Sequence, residues 1–221
     1  MHHFFVEPEA INNQEVHFPE DLSRQITRVL RLTLGKQVMV LDNRGNAYLT
    51  ELLHVDEKAC LGGILQQSEV TSEPKLRLTM MLSLTQRDKF EWMLQKCTEV
   101  GAAAFLPVIT SRSLVQQPEE SASKYPRWEK ILREAAEQSG RGIIPELLPP
   151  LQFQDAIEYG KSMNEICLVA WEAEQRLTLK DVIIQDLQRA AMLIGPEGGF
   201  SQEEIMLATT RGYLPVSLGR L

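Results

Sequence analysis

The sequence predicts an α/β fold: a doubly covered, mostly parallel sheet preceded by a small β-rich module. Three observations carry that reading. Short apolar segments separated by turn residues fill positions 37 to 65. After Pro74, stretches that alternate at period two take turns with stripes at helical spacing, and strands alternating with helices favour a parallel sheet covered on both faces. The 221 residues are 43% hydrophobic and 24% charged, enough for one large or two modest cores and unlike a disordered chain.

Taken in order, residues 22 to 32 (LSRQITRVLRL) place Ile26, Val29 and Leu30 at helical spacing, with Gly35 as a stop. QVMVLD, AYLTELL and KACLGGIL follow, separated by Asn43 to Asn46 and by Asp56-Glu57, and the β module ends near the polar stretch Gln66 to Pro74. Leu76 to Leu84 alternates as a strand. The next helix takes Asp88 as N-cap and Glu91 as the partner of a capping box, buries Phe90, Met93, Leu94, Cys97 and Val100, and stops at Gly101. Ala103 to Val108 is a second strand, and Pro126 opens a helix that turns Ile131, Leu132, Ala135 and Ala136 inward and ends at Gly140. Strands at 166–170, 191–194 and 216–218 follow, with helical segments near 177–189 and 202–211. Ligands of such sheets sit at the carboxyl ends of the strands.

The net charge of −7 argues against a protein coated in basic charge. Locally the balance differs: Arg24, Arg28, Arg31 and Lys36 form a run without an acid, and Lys75 to Lys96 is also basic-rich. A basic groove on an acidic body is one reading, and a solvated face is the other. Three scattered cysteines, Cys60, Cys97 and Cys167, favour neither a disulfide framework nor a zinc site and fit a reducing cytoplasm. His2, His3, His17 and His54 lack metal-ligand spacing, so no metal is expected. No apolar run approaches a membrane span and the first twenty residues lack a signal-peptide core, so a soluble, non-exported protein is expected.

The segment LIGPEGGFSQEE (193–204) reads as a strand end, a glycine turn and a helix start. Ser201 and Glu204 form a capping box, and Glu203 and Glu204 already supply the helix N-terminus with negative charge. A phosphate would gain little there, and both the P-loop and the dinucleotide patterns are absent. A ligand of this turn is phosphate-free and neutral or cationic, which S-adenosylmethionine satisfies. The other reading is a plain strand-to-helix turn.

That segment, with LSLTQRDKFEWMLQKCTEVGAAAFLPVITSRS (82–113), KYPRWEKILREAAEQSGRGIIPEL (124–147) and SLGRL (217–221), resembles the bacterial family that methylates N3 of a uridine in 16S small-subunit ribosomal RNA. The resemblance covers nearly the whole chain. It implies a PUA-like β-barrel for RNA over 1–72 and a SPOUT-type α/β methyltransferase domain with a C-terminal trefoil knot over 73–221. It further implies a homodimer, S-adenosylmethionine as cofactor and the assembled 30S subunit as partner. A noncatalytic RNA-binding or ribosome-assembly protein of the same fold is the alternative.

By resemblance, the cofactor loops are Leu168 to Glu172, Ile194 to Gly199 and Leu214 to Gly219, with Leu168, Ala170, Trp171, Ile194, Gly195, Pro196, Glu197, Gly198, Gly199, Leu214, Val216, Leu218 and Gly219 as the residues singled out. For catalysis, Arg112 and Arg141 are expected to position the flipped uridine or stabilise its developing charge, Gln138 to bond the base edge, and Glu197 to act as base or to order the turn. A phosphate contact remains the other reading of Arg112, and a helix cap or interface bond that of Gln138. Arg24, Arg28, Arg31, Lys36, Arg87 and Lys89 are the candidate RNA contacts. Trp92 and Trp128 are expected to be packing or dimer residues, and Trp171 to lie against the adenosine. Two departures from the family pattern stand out. Relatives usually continue after "LG" with a further helix, whereas this sequence stops at Leu221, so the expectation is a tail that is either lacking or left out of the sequence. His3 stands where relatives commonly show an arginine before the paired phenylalanines, which puts one RNA contact in doubt.

Overall fold

A computed structural model describes residues 1–182 and 186–219. By internal contacts the chain divides into two units, Met1–Glu73 with Arg133–Ile144, and Pro74–Leu132 with Pro145–Leu221.

The first unit is built on a six-stranded sheet of β1 (His3–Phe5), β2 (Ile11–Asn12), β3 (Glu15–Phe18), β4 (Gln37–Leu41), β5 (Asn46–His54) and β6 (Cys60–Glu69). Their spatial order is β1-β4-β5-β6-β3-β2, with β1 parallel to β4 and the remaining neighbours antiparallel. The turn between β4 and β5 closes because Asn43 and Gly45 take positive φ and the Asp42 carboxylate accepts from the backbone of Arg44 and Asn46. Helix α1 (Glu20–Arg24) runs into a π turn at Gln25–Val29 and buries Leu22 and Ile26 against Phe4, Val16, Phe18 and Val38. The helix expected to reach residue 32 therefore stops early: Val29 is 73% exposed and Arg31 has a φ of 50°.

Helix α3 (Tyr125–Ser139) lends its last residues to this unit. Ala136 packs with Phe5, Leu41 and Ala47. Arg133 donates to Phe5 O at 3.1 Å, and Phe5 N donates to the buried Glu137 carboxylate at 3.2 Å. His3 has its Nδ1 3.0 Å from Glu137 O, and burial lowers its pKa.

The second unit contains the predicted parallel sheet: β7 (Arg77–Ser83), β8 (Ala104–Ile109), β9 (Glu146–Leu147), β10 (Leu151–Gln152), β11 (Ile166–Ala170), β12 (Arg189–Ile194) and β13 (Leu214–Val216). The order is β10-β8-β7-β12-β11-β13, β9 lies against β8, and every recorded pairing is parallel. Alternation buries both faces. Cys167, Val169, Ala191 and Leu193 pack on α4 (Phe153–Met163) and α5 (Gln202–Thr210), while Ile166, Leu168, Ala190 and Met192 pack with Leu179 and Val182 on the other side.

Three expectations for this unit need correction. Helix α2 (Arg87–Glu99) starts one residue before Asp88, and Gln86 caps it without a side-chain bond; Glu91 instead accepts from Arg87 and Arg127, so the capping box does not form. The α2 stripe holds at Phe90 and Leu94, but Thr98 rather than Val100 completes it, since Val100 at the C-cap is 82% exposed. Between 177 and 189, the described residues form only a 3₁₀ turn, Leu179–Val182; positions 183–185 of that predicted helix lie outside the described residues. Trp128 does pack, 2% exposed and 4.8 Å from the Phe90 ring, whereas Trp92 is exposed.

Candidate active site

The carboxyl end of β12 delivers the glycine turn, and the local sequence explains its shape. At Gly195 a Cβ would stand 3.0 Å from the Phe200 ring, which folds back under the turn. Gly199 has a φ of 68°, a conformation that glycine adopts without strain, and donates its N–H to Pro196 O at 2.9 Å. The predicted capping box forms in full: Glu204 N donates to Ser201 Oγ at 3.2 Å and Ser201 N donates to Glu204 Oε2 at 2.8 Å. The second oxygen of Glu204 accepts from Ser111 N at 2.8 Å, which ties the loop after β8 to the start of α5.

That tie sets Arg112 beside the turn, where its guanidinium donates to Gly198 O. On α2, Lys89 Nζ lies 3.0 Å from Glu197 Oε1. The hydrogen bond from Lys89 holds the Glu197 carboxyl below its usual range. A carboxylate so stabilised is a weak proton acceptor, which favours the turn-ordering reading of Glu197 over the general-base reading.

A cavity of about 380 Å³ opens where this turn meets the ends of β11 and β13. Eight of the residues singled out for cofactor binding line it: Ala170, Trp171, Ile194, Gly195, Pro196, Gly199, Leu218 and Gly219. Leu168 and Val216 are instead buried in the apolar layer of the sheet, Leu214 begins β13, and Glu197 and Gly198 take the bonds to Lys89 and Arg112. The third loop is fixed by its neighbours: Ser217 N donates to Leu177 O, Leu179 N to Ser217 O, and Trp171 N to Val216 O. Glu172 and Ser217 also line the cavity, inside the predicted loops but not singled out, and Phe200 lies just beyond them. Phe200 carried no chemical signal in sequence because its contribution is the ring edge under Gly195. Among the described residues the lining holds one carboxylate and no cation, a donor set that fits a phosphate-free, cationic ligand such as S-adenosylmethionine.

The other candidates stand elsewhere. Gln138 and Arg141 belong to the first unit: Gln138 is exposed on α3, and Arg141 is 6% exposed with Nη2 2.7 Å from Glu73 Oε2. Glu73 Oε1 also accepts from Gly142 N at 3.0 Å, so this ion pair orders the chain after α3. The basic run without an acid in sequence acquires acids in space, as Arg24 pairs with Glu20 and Arg28 with Glu57. Arg87 pairs with Glu91 at 3.1 Å. Such exposed pairs are weak and yield readily to a phosphate. Arg31 and Lys36 are exposed with no ion-pair partner among the described residues. Also among the described residues, no helix is long and apolar enough to cross a membrane, and no group of three or more His, Cys, Asp or Glu could hold a metal ion.

Two family models match the chain, one for an RNA methyltransferase domain over residues 72–221 and one for an RNA methyltransferase PUA domain over residues 20–65. Ribosomal RNA small subunit methyltransferase E of Synechocystis sp. is 34% identical over 97% of this chain and 70% of its own length. The Bacillus subtilis protein of the same name is 30% identical over 95% of this chain and 82% of its own. Among solved structures, a putative methyltransferase from Legionella pneumophila in complex with bound SAM superposes with a TM-score of 0.89 at 30% identity, covering 99% of this chain and 89% of that one. A ribosomal RNA small subunit methyltransferase E from Neisseria gonorrhoeae bound to S-adenosyl methionine gives 0.86 at 28%, covering 100% and 90%. With its parallel sheet, its glycine turn and matches over both units, the chain belongs to the ribosomal RNA small subunit methyltransferase E family of RNA methyltransferases.

Proposed function

We propose that this chain transfers a methyl group from S-adenosylmethionine to N3 of a uridine in 16S ribosomal RNA. The observation that carries the reading is the cavity at the strand ends, lined by three loops with one carboxylate and no cation among the described residues, in a chain of this family. When bound, S-adenosylmethionine supplies a methyl group activated by a sulfonium. The chain's part is to hold that ligand by the backbone of Ile194 to Gly199 and of Leu218-Gly219 and to place the acceptor base beside it.

The N3–H of uracil is a weak acid, with a pKa of about 10, comparable to a tyrosine phenol. Stabilising its anion matters more than a strong base, and Arg112, anchored on Gly198 O at the rim of the turn, is the cation for that role. Glu197, held ionised by Lys89, orders the turn. Arg141 holds the segment after α3 through Glu73.

The finer features of the reading rest on the family resemblance. Residues 1–72 act as the RNA-gripping PUA-like domain and 73–221 as the catalytic domain. The chain works as a cytoplasmic homodimer on the assembled 30S subunit. A C-terminal trefoil knot holds the cofactor.

The test is methyl transfer: the protein is incubated with S-adenosylmethionine and small ribosomal subunits that lack the modification, and digested RNA is searched for N3-methyluridine by mass spectrometry. Its appearance is expected. RNA binding with cofactor bound but no methylated nucleoside would replace this reading by the noncatalytic one.

A further inference from the structure

We propose that Glu172 makes the cavity selective for the positively charged methyl donor over its neutral demethylated product. The inference rests on the cofactor reading above and extends it to a residue with no assigned role.

Glu172 stands two residues past the end of β11 and lines the cavity. Its carboxylate lies over the glycine turn: a methyl group built on Gly199 would come within 2.8 Å of Glu172 Oε1. Two other acids of the same connection, Glu174 and Asp181, are consumed by local order. Glu174 Oε1 accepts from Arg176 N at 2.6 Å and Leu177 N at 3.1 Å, and Asp181 accepts from Thr178 N at 2.8 Å. Glu172 accepts no hydrogen bond and makes no ion pair among the described residues, so loop structure does not explain it. Among the described residues its charge is the single ionic charge in the lining, beside a turn whose outer carboxylate, Glu197, is already matched by Lys89.

S-adenosylmethionine carries a sulfonium, an ammonium and a carboxylate at neutral pH, for a net charge of +1. S-adenosylhomocysteine lacks the sulfonium and is neutral overall. The two differ little in shape, so a cavity that bound by shape and backbone hydrogen bonds alone would hold them almost equally. A fixed carboxylate separates them by Coulomb attraction, and it stops favouring the ligand once the methyl group has left.

Equilibrium binding of both ligands to the full chain, by titration calorimetry, tests this. In Glu172→Gln the affinity for S-adenosylmethionine is expected to fall about tenfold while that for S-adenosylhomocysteine changes less than about twofold, and Glu172→Asp is expected to keep most of the preference. An equal loss for both ligands would assign Glu172 to a part they share. No change for either, or loss of the preference in Glu172→Asp with the fold intact by circular dichroism, would also overturn the proposal. A wild-type chain that bound neither ligand would instead sink the cofactor reading beneath it.

Discussion

Gly160 sits inside α4, where glycine ordinarily costs helix stability, and its neighbours explain it. A Cβ there would lie 2.1 Å from Tyr213 Oη and 2.8 Å from Met81 Sδ, both buried. Gly160→Ala gains up to about 1 kcal/mol in helix propensity but overpacks this contact at about 1–3 kcal/mol or more. It also crowds the Tyr213 hydroxyl off Ile157 O. Urea unfolding should therefore show a less stable variant, and an unchanged midpoint would mean that the contact relaxes freely. Glu137 poses the opposite problem, a charge at 7% exposure. Burial raises its pKa above the ordinary 4.5, opposed by the bond from Phe5 N. The folded state thus holds this proton more tightly than the unfolded chain does, and the stability so gained is lost as pH rises from about 4.5 through the raised value. Glu137→Gln keeps an acceptor for Phe5 N without the charge. Its melting temperature relative to wild type should climb between pH 4 and pH 7, and parallel profiles would sink the assignment.

At the scale of elements, the start of α5 is joined to the loop after β8 through one side chain. Glu204→Ala removes the acceptor for both Ser201 N and Ser111 N and should cost about 1–3 kcal/mol. It should also weaken S-adenosylmethionine binding several-fold, because the loop carrying Arg112 is released from the turn. Glu204→Gln, which retains one acceptor, should lose less in both calorimetry and thermal melts. The cap itself was legible in sequence, since Ser201 and Glu204 are local partners. Its tie to Ser111 was not, because it joins residues 93 positions apart. Helix α4 escaped notice for a related reason: Gly160 looks like a stop when the phenol that needs its space is 53 residues away. Asp88 and Glu91 had capping-box spacing, yet Arg127 from another helix outbid the backbone for Glu91. Local signals fixed strands and glycine turns, and side chains that answer to distant partners stayed hidden.

At the scale of the molecule, the acidic total conceals exposed cations on each unit, and salt should reveal their use. Binding to a small-subunit RNA fragment should weaken linearly in the logarithm of salt concentration, by about 0.7 to 0.9 per phosphate neutralised. Arg31→Ala and Lys36→Ala should each reduce that slope by about one, and Arg24→Ala by less, because Arg24 must first leave Glu20. Filter binding across a salt series measures this, and slopes that do not change would place the RNA elsewhere. The first part of the candidate site was readable because glycine turns and helix caps are local; the proposed RNA surface was less so, because acids such as Glu57 reach its cations from another strand connection. The strand order has a further consequence for the growing chain. One edge of β7 is taken by β8 soon after it is made, but the other belongs to β12, about a hundred residues later. At roughly 5–20 residues per second, translation leaves that open edge waiting for roughly 5–20 s, the interval in which a nascent chain most needs a chaperone's cover.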